Sequence, residues 1–229
     1  MDPRRVSEVT ERVAPFVAAV SAEGPTLDEL AVEISRSLQP ELDTIGVLTE
    51  LDELAASCPT PTRDGVMTHL FGSGRFVGDR TSYHRWQNSC IDHVLRSGRG
   101  MPITLAVIGI EVARRVGVRL AGVGMPGHFL VGDPADSAWF ADPFHGRTGL
   151  GRQDCRELMA SMGMAHWSER FLQTIPPRLV AARILNNVKL SCERHRDEVR
   201  LAIVMQARQA LPELGDDPDE ARLALAVLN

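Results

Sequence analysis

Between Gly100 and Gly117 the chain carries a segment, Pro102 to Val116, whose apolar side chains cover nearly the whole circumference at the helical repeat of about 3.6 residues per turn. Only Gly109, Arg114 and a narrow stripe of Thr104, Glu111 and Arg115 interrupt that surface. A helix of this kind has to be wrapped by other elements, because solvent on any broad face would meet hydrocarbon. It is too short and too charged to span a bilayer. Pro102 suits the first helical position, where a missing N–H costs nothing, and Gly117 suits the C-cap. The chain therefore builds a domain around one buried helix.

Three short apolar segments follow: Arg119 to Gly124, His128 to Gly132 and Ala138 to Asp142. Asp133-Pro134-Ala135-Asp136-Ser137 between the last two is a turn sequence, so the spacing predicts an antiparallel hairpin. Symmetry about Ala135 puts His128 directly opposite Asp142 and Leu130 opposite Phe140. Opposed residues share a face, with Cβ atoms roughly 4.5–5.5 Å apart. A carboxylate so placed can fix the tautomer of an imidazole and stabilise its protonated form.

Helical patterns dominate the first third. Val6 to Val20 has helical apolar spacing, and Thr26 with Glu29 forms a capping box for Leu27 to Leu38. Asp43 begins a further helix carrying Ile45, Leu48, Leu51 and Leu54. Cys58-Pro59-Thr60-Pro61-Thr62 is a stiff linker, and Pro176-Pro177 is a second break. Three regions are expected: a helical region 1–58, a core 59–175 and a helical hairpin 176–229. Within the core, Cys155 to Gly163 and Ser168 to Thr174 read as short helices. Arg178 to Glu193, Glu198 to Leu211 and Asp219 to Leu228 follow.

Composition excludes several classes. With 44% hydrophobic and 24% charged residues in 229, the chain is globular rather than disordered. A net charge of −5 with scattered arginines offers no basic face for nucleic acid. No membrane segment is read, and the start Met1-Asp2-Pro3-Arg4-Arg5 leads into an amphipathic pattern rather than an apolar signal core. Cys58, Cys90, Cys155 and Cys192 are widely spaced, which predicts reduced thiols and a cytoplasmic protein. No Cys-x-x-Cys pair or His-Glu-x-x-His helix is present. No metal and no cofactor are expected.

Several stretches carry a family resemblance: Gly100-Met101-Pro102-Ile103-Thr104-Leu105-Ala106, Val112-Ala113-Arg114-Arg115-Val116-Gly117, Gly122 to Val131, and Asp142-Pro143-Phe144-His145-Gly146. Asn88 to Leu95 and Asp154-Cys155 fit the same order. Together they resemble the SirB-type bacterial branch of the transglutaminase-like superfamily, from roughly Thr26 to Leu211. The resemblance implies an α+β fold: a papain-like core with a small antiparallel sheet on a buried helix, flanked by N- and C-terminal helices. It also implies a helix start of the form Gly-x-Cys-x-x-x-Ala. Gly100, Ala106 and Gly117 match, His128 and Asp142 match the family's His and Asp, and the cysteine slot falls on Pro102. The resemblance further implies a C-terminal region akin to a truncated tetratricopeptide unit.

Candidate substitutes for the missing cysteine are Cys90, Thr104 and Cys155. Cys90 lies on a short helix joined to the buried one by Ser97-Gly98-Arg99-Gly100 and can approach its start. Asn88 caps that short helix or donates into the cleft, and His145 can line it. Amides around Met101 to Ile103 are candidate oxyanion donors, with Pro102 and Thr104 beside them. Two functional classes remain. One is an amide or ester hydrolase or acyl transferase with His128 as base, Asp142 as its partner, and Cys90 or water as nucleophile. The other is a pseudoenzyme whose cleft binds a peptide or protein partner. Pro102 favours the second.

Overall fold

The structure is a computed structural model that describes residues 3–164 and 166–211. It opens with α1 (Pro3–Ser21), α2 (Leu27–Leu38) and α3 (Thr44–Ala56). The Thr26 N–H donates to Glu29 Oε2 at 2.9 Å, and Asp43 Oδ1 accepts the Gly46 N–H at 3.0 Å. These caps satisfy backbone donors that the first helical turn leaves free. Next, α4 (Arg63–Met67) runs into a π-helical turn, Thr68–Gly72. β1 (Val77–Gly78) pairs in parallel with β2 (Arg99–Gly100). Between those two strands lie the 3-10 turn Trp86–Ser89 and α5 (Ile91–Ser97).

The buried helix is α6 (Pro102–Arg115), with Pro102 at its first position. Every residue from Pro102 to Ala113 is buried. β3 (Ala121–Val123) and β4 (Leu130–Asp133) pack on it, and α2, α3, α4, α5 and α8 (Pro177–His195) enclose its other sides. The polar stripe has its own purpose. Glu111 Oε1 accepts the Leu27 N–H at 3.1 Å, and Arg115 bonds Glu111 at 3.0 Å, Asp28 at 2.6 Å and Asp52 at 2.7 Å. One guanidinium therefore ties the end of α6 to α2 and α3.

β5 (Asp136–Asp142), β6 (Arg147–Leu150) and β7 (Thr174–Ile175) complete an antiparallel sheet in the order β6-β5-β4-β3-β7. α7 (Arg152–Ser161) follows β6, and α9 (Glu198–Gln209) follows α8. The fold is thus the expected α+β arrangement. The helix expected over Ser168 to Thr174 is instead a 3-10 turn, Glu169–Leu172, followed by β7 on the free edge of β3. The helix expected at Asp219 to Leu228 lies outside the described residues. One hydrophobic cluster contains Val13, Leu51, Ile108, Val180 and Leu211, drawn from both sides of Cys58–Thr62 and of Pro176-Pro177.

The hairpin register differs from the symmetric expectation. Val131 pairs with Ala141 and Gly132 with Phe140, while Asp133 pairs with Asp136 across a two-residue turn. The strand bulges at Ser137 to Trp139 to absorb the difference. Arg63 Nη1 bonds Asp133 at 2.7 Å and Asp136 at 3.0 Å, pinning both turn carboxylates from outside the hairpin. His128 is consequently not directly opposite Asp142. For the Val131–Ala141 and Gly132–Phe140 pairs the slip is two residues, however, and a two-residue slip leaves their side chains on the original face.

Candidate functional site

His128 stands at the end of a tight turn, Met125-Pro126-Gly127-His128, rather than on a strand. Its N–H donates to the Met125 carbonyl at 3.1 Å, and Gly127 has φ +70°. A type II turn requires positive φ in the third position and favours Pro in the second, as here. A Cβ at Gly127 would also lie 2.9 Å from Met164 Cε. Gly127→Ala is expected to cost about 1–2 kcal/mol of stability from the left-handed backbone alone. A urea denaturation midpoint unchanged from wild type would contradict that assignment of the turn.

Asp142 ends β5 and is fully buried. Its Oδ1 lies 2.9 Å from His128 Nε2, although the ring's N–H direction misses the oxygen, so the contact is close without being an aligned hydrogen bond. Oδ1 also accepts the N–H groups of Phe144 at 3.1 Å and His145 at 3.3 Å, and Oδ2 contacts His145 Nδ1 at 2.6 Å. Burial pulls the Asp142 carboxyl upward, but the close contacts of the His128 and His145 rings outweigh it and hold the carboxyl below its ordinary value. An anionic Asp142 flanked by two imidazoles is the electrostatic centre of the site. With Nε2 held at Asp142, Nδ1 is the His128 nitrogen left for other chemistry.

A cavity of about 310 Å³ opens beside His128. Met101, Pro102 and Ile103 from the start of α6 line one side, and Gly127, His128 and Phe129 line another. Tyr83, His84 and Arg85 precede the 3-10 turn and form a third wall, facing Arg183, Asn187, Leu190 and Ser191 of α8. The cleft between helix start and histidine that the sequence predicts is therefore present, with Pro102 in its wall.

The other candidates fall elsewhere. Cys90 is wholly buried and does not line the cavity. Its Sγ faces the Trp86 carbonyl at 3.8 Å, and burial, then the charge of Asp92, pushes the thiol far above its usual range. Thr104 is fully buried with no partner for its hydroxyl and is likewise outside the cavity wall. Cys155 is buried, its thiol pushed up to about 12 by burial and by Asp154 and Asp142. Asn88 uses its amide to donate to Asp79 Oδ2 at 3.0 Å and the Ser82 carbonyl at 2.7 Å, bracing the loop rather than reaching the cleft. The Met101 N–H is spent on the Asn88 carbonyl at 3.2 Å, which removes it as an oxyanion donor. His145 does not line the cavity; it sits on the far oxygen of Asp142.

His128, Asp142 and His145 offer ligand atoms within 4.8 Å of one another, a spacing that a metal ion can bridge. Both Asp142 oxygens are already engaged by the two rings, so an ion would have to displace those contacts. Sequence reading did not single out Arg183. An arginine on a helix face otherwise made of Val180, Ala181, Ile184 and Leu185 was the available signal.

A buried helix start facing a His–Asp pair across a cleft, backed by an antiparallel sheet, defines a transglutaminase-like core. The Transglutaminase-like superfamily model matches residues 24–186, and the chain belongs to that superfamily. It is similar to a UPF0162 protein of Xylella fastidiosa (strain 9a5c), 39% identical over 129 residues, covering 54% of this chain and 46% of that protein. A UPF0162 protein of Pseudomonas aeruginosa is 27% identical over 200 residues, covering 82% of this chain and 70% of that protein. F-box only protein 21 of Mus musculus is 25% identical over 127 residues, covering 56% of this chain and 18% of that protein. The aligned part thus spans about half the length of the Xylella relatives. No solved structure matches the chain. Among the described residues no helix is long and apolar enough to cross a membrane.

Proposed function

We propose that the cleft beside His128 binds a peptide or protein partner and does not run the thiol chemistry of a transglutaminase or cysteine peptidase. The observation that carries this reading is Pro102 in the cavity wall at the slot for the cysteine, with no thiol among the lining residues. A proline there has neither a nucleophile nor an N–H to give. Cys90 supports the same reading, because a thiol desolvated in that way holds its proton instead of attacking. Iodoacetamide labelling at neutral pH tests it. Cys90 should react slowly in the folded protein, and His128→Ala should leave that rate unchanged. Rapid labelling that is lost in both Cys90→Ala and His128→Ala would restore the cysteine enzyme.

A second reading keeps catalysis without a thiol: His128, oriented by Asp142, activates a water against an amide or ester bond. The intact 2.9 Å pairing of the two residues favours it. Placement in the SirB-type branch is also proposed, supported by the order of the Gly100, Gly122 and Asp142 segments and by bacterial UPF0162 relatives. The packing of α8 against α9 supports reading them as a single tetratricopeptide-like unit. Four unpaired cysteines, Cys58, Cys90, Cys155 and Cys192, support a reducing, cytoplasmic setting.

A further inference from the structure

We infer that the cavity beside His128 is built to take a carboxylate, and that Arg183 supplies the opposing charge. This rests on the peptide-cleft reading and adds which part of a peptide the cleft selects. Arg183 rises from the middle of α8 with only 9% of its surface exposed. Its Nη2 donates to the carbonyls of Met125 at 3.2 Å and His128 at 3.1 Å, its guanidinium stacks 5.3 Å from the Phe129 ring, and its Nη1 is buried without a partner. No carboxylate pairs with it among the described residues. A buried guanidinium without a counter-charge is a costly arrangement, and proteins normally pair such groups.

The surroundings point the same way. None of the cavity's lining residues is an aspartate or glutamate, whereas Arg85 and His84 stand at its rim. The start of the fourteen-residue helix α6 also lines the cavity; with the Met101 N–H spent and Pro102 lacking one, it is the partial positive charge of the helix end that favours an anion there. Arg183 is the independent observation here, since a helix start alone selects nothing. Burial pulls the Arg183 pKa down to about 10, which still leaves it charged at neutral pH. In a protein with a net charge of −5, a cavity lined by two arginines, Arg85 and Arg183, and by no acid runs against the overall charge. A peptide reaches such a cavity with either its terminal carboxylate or an acidic side chain.

Three pools of mixed-sequence hexapeptides carrying a neutral fluorophore separate these sources. One has amidated ends and no Asp or Glu, one has free C-terminal acids and no Asp or Glu, and one has amidated ends with a single Asp or Glu. Fluorescence anisotropy should show one acidic pool binding about tenfold tighter than the neutral pool, roughly the worth of one charge-assisted contact. Preference for the second pool assigns the C-terminal carboxylate, and preference for the third assigns a side chain. Arg183→Gln, which keeps N–H donors for the two carbonyls, should abolish the preference. Leu190→Glu puts a carboxylate on the cavity rim at a residue 46% exposed, and it should do the same if the Arg183 variant does not fold. Equal binding of all three pools, or a preference that survives both substitutions, overturns the carboxylate inference and leaves the peptide cleft standing. No binding of any pool overturns both.

Discussion

Arg115→Met is expected to lower the unfolding free energy by about 3 kcal/mol at neutral pH, at the lower end of what breaking a buried ion pair costs. Methionine can retrace the aliphatic stem, so the loss isolates the charge. Arg115 bonds Asp28 at 2.6 Å and Glu111 at 3.0 Å, and both of those carboxylates are buried. Burial, then the charge of Asp28, already raises the Glu111 carboxyl above its ordinary value, so this acid has little reserve. Arg114 contacts the same two acids, at 3.1 Å and 2.7 Å, which keeps the loss from being larger. Half of the Arg114 side chain is exposed to water, and Arg114→Met should cost only about 0–1 kcal/mol.

The Arg115 deficit also has a sign with pH. Without the guanidinium, the folded-state pKa values of Asp28 and Glu111 both move up, so the variant binds protons as pH falls. Its deficit against wild type is therefore full at pH 7 and shrinks towards acid. Urea denaturation at neutral pH and at about pH 4.5, near the carboxylate reference values, checks both points. Equal losses for Arg114 and Arg115, or a deficit independent of pH, would mean the buried network is not what joins α6 to α2 and α3.

What could be read from the sequence divides by distance along the chain. The buried helix was legible because its signal is local: Pro102 at the start, Gly117 at the end and apolar residues on all sides between. The contact of His128 with Asp142 was legible because the turn sequence Asp133 to Ser137 folds the two flanking segments back on each other, which brings the histidine end of one beside the aspartate end of the other. Register was not. It depends on the bulge at Ser137 to Trp139 and on Arg63, which lies some seventy residues from the carboxylates it pins. His128 reads as a strand residue in the sequence because Pro126-Gly127 resembles the edge of a loop, whereas it is the centre of a turn ending on the histidine. β6 and β7 are short and mixed in polarity, and they become strands only because β5 and β3 offer edges to pair with. Cys90 looked near the cleft because four residues join its helix to α6. The direction of its side chain, towards the interior beside Ser35 and Cys192, is set by packing that no linear pattern reveals.

Replacing Asp142 should separate the structural weight of the His–Asp–His centre from its charge. Asp142→Ala removes the acceptor for two backbone N–H groups and for His128 and His145, and it is expected to cost about 3 kcal/mol at pH 7. Asp142→Asn keeps an oxygen for the backbone donors and should cost less, about 1 kcal/mol. The two variants share a further property. In wild type the folded carboxyl lies below its ordinary value, while the unfolded chain titrates near about 3.9. Between those two values the unfolded chain holds a proton that the folded protein does not, so stability drains as pH falls from about 4 and the Asp142 contribution is gone below the folded value. Neither variant has that carboxyl, so the acid side of both stability curves should be flatter than wild type's. Denaturation midpoints taken from neutral pH down to about pH 3 make the comparison. A wild-type curve that runs parallel to the Asn variant through this range would mean that Asp142 is not held as a carboxylate by the two imidazoles, and the site would lose the charge that orients His128.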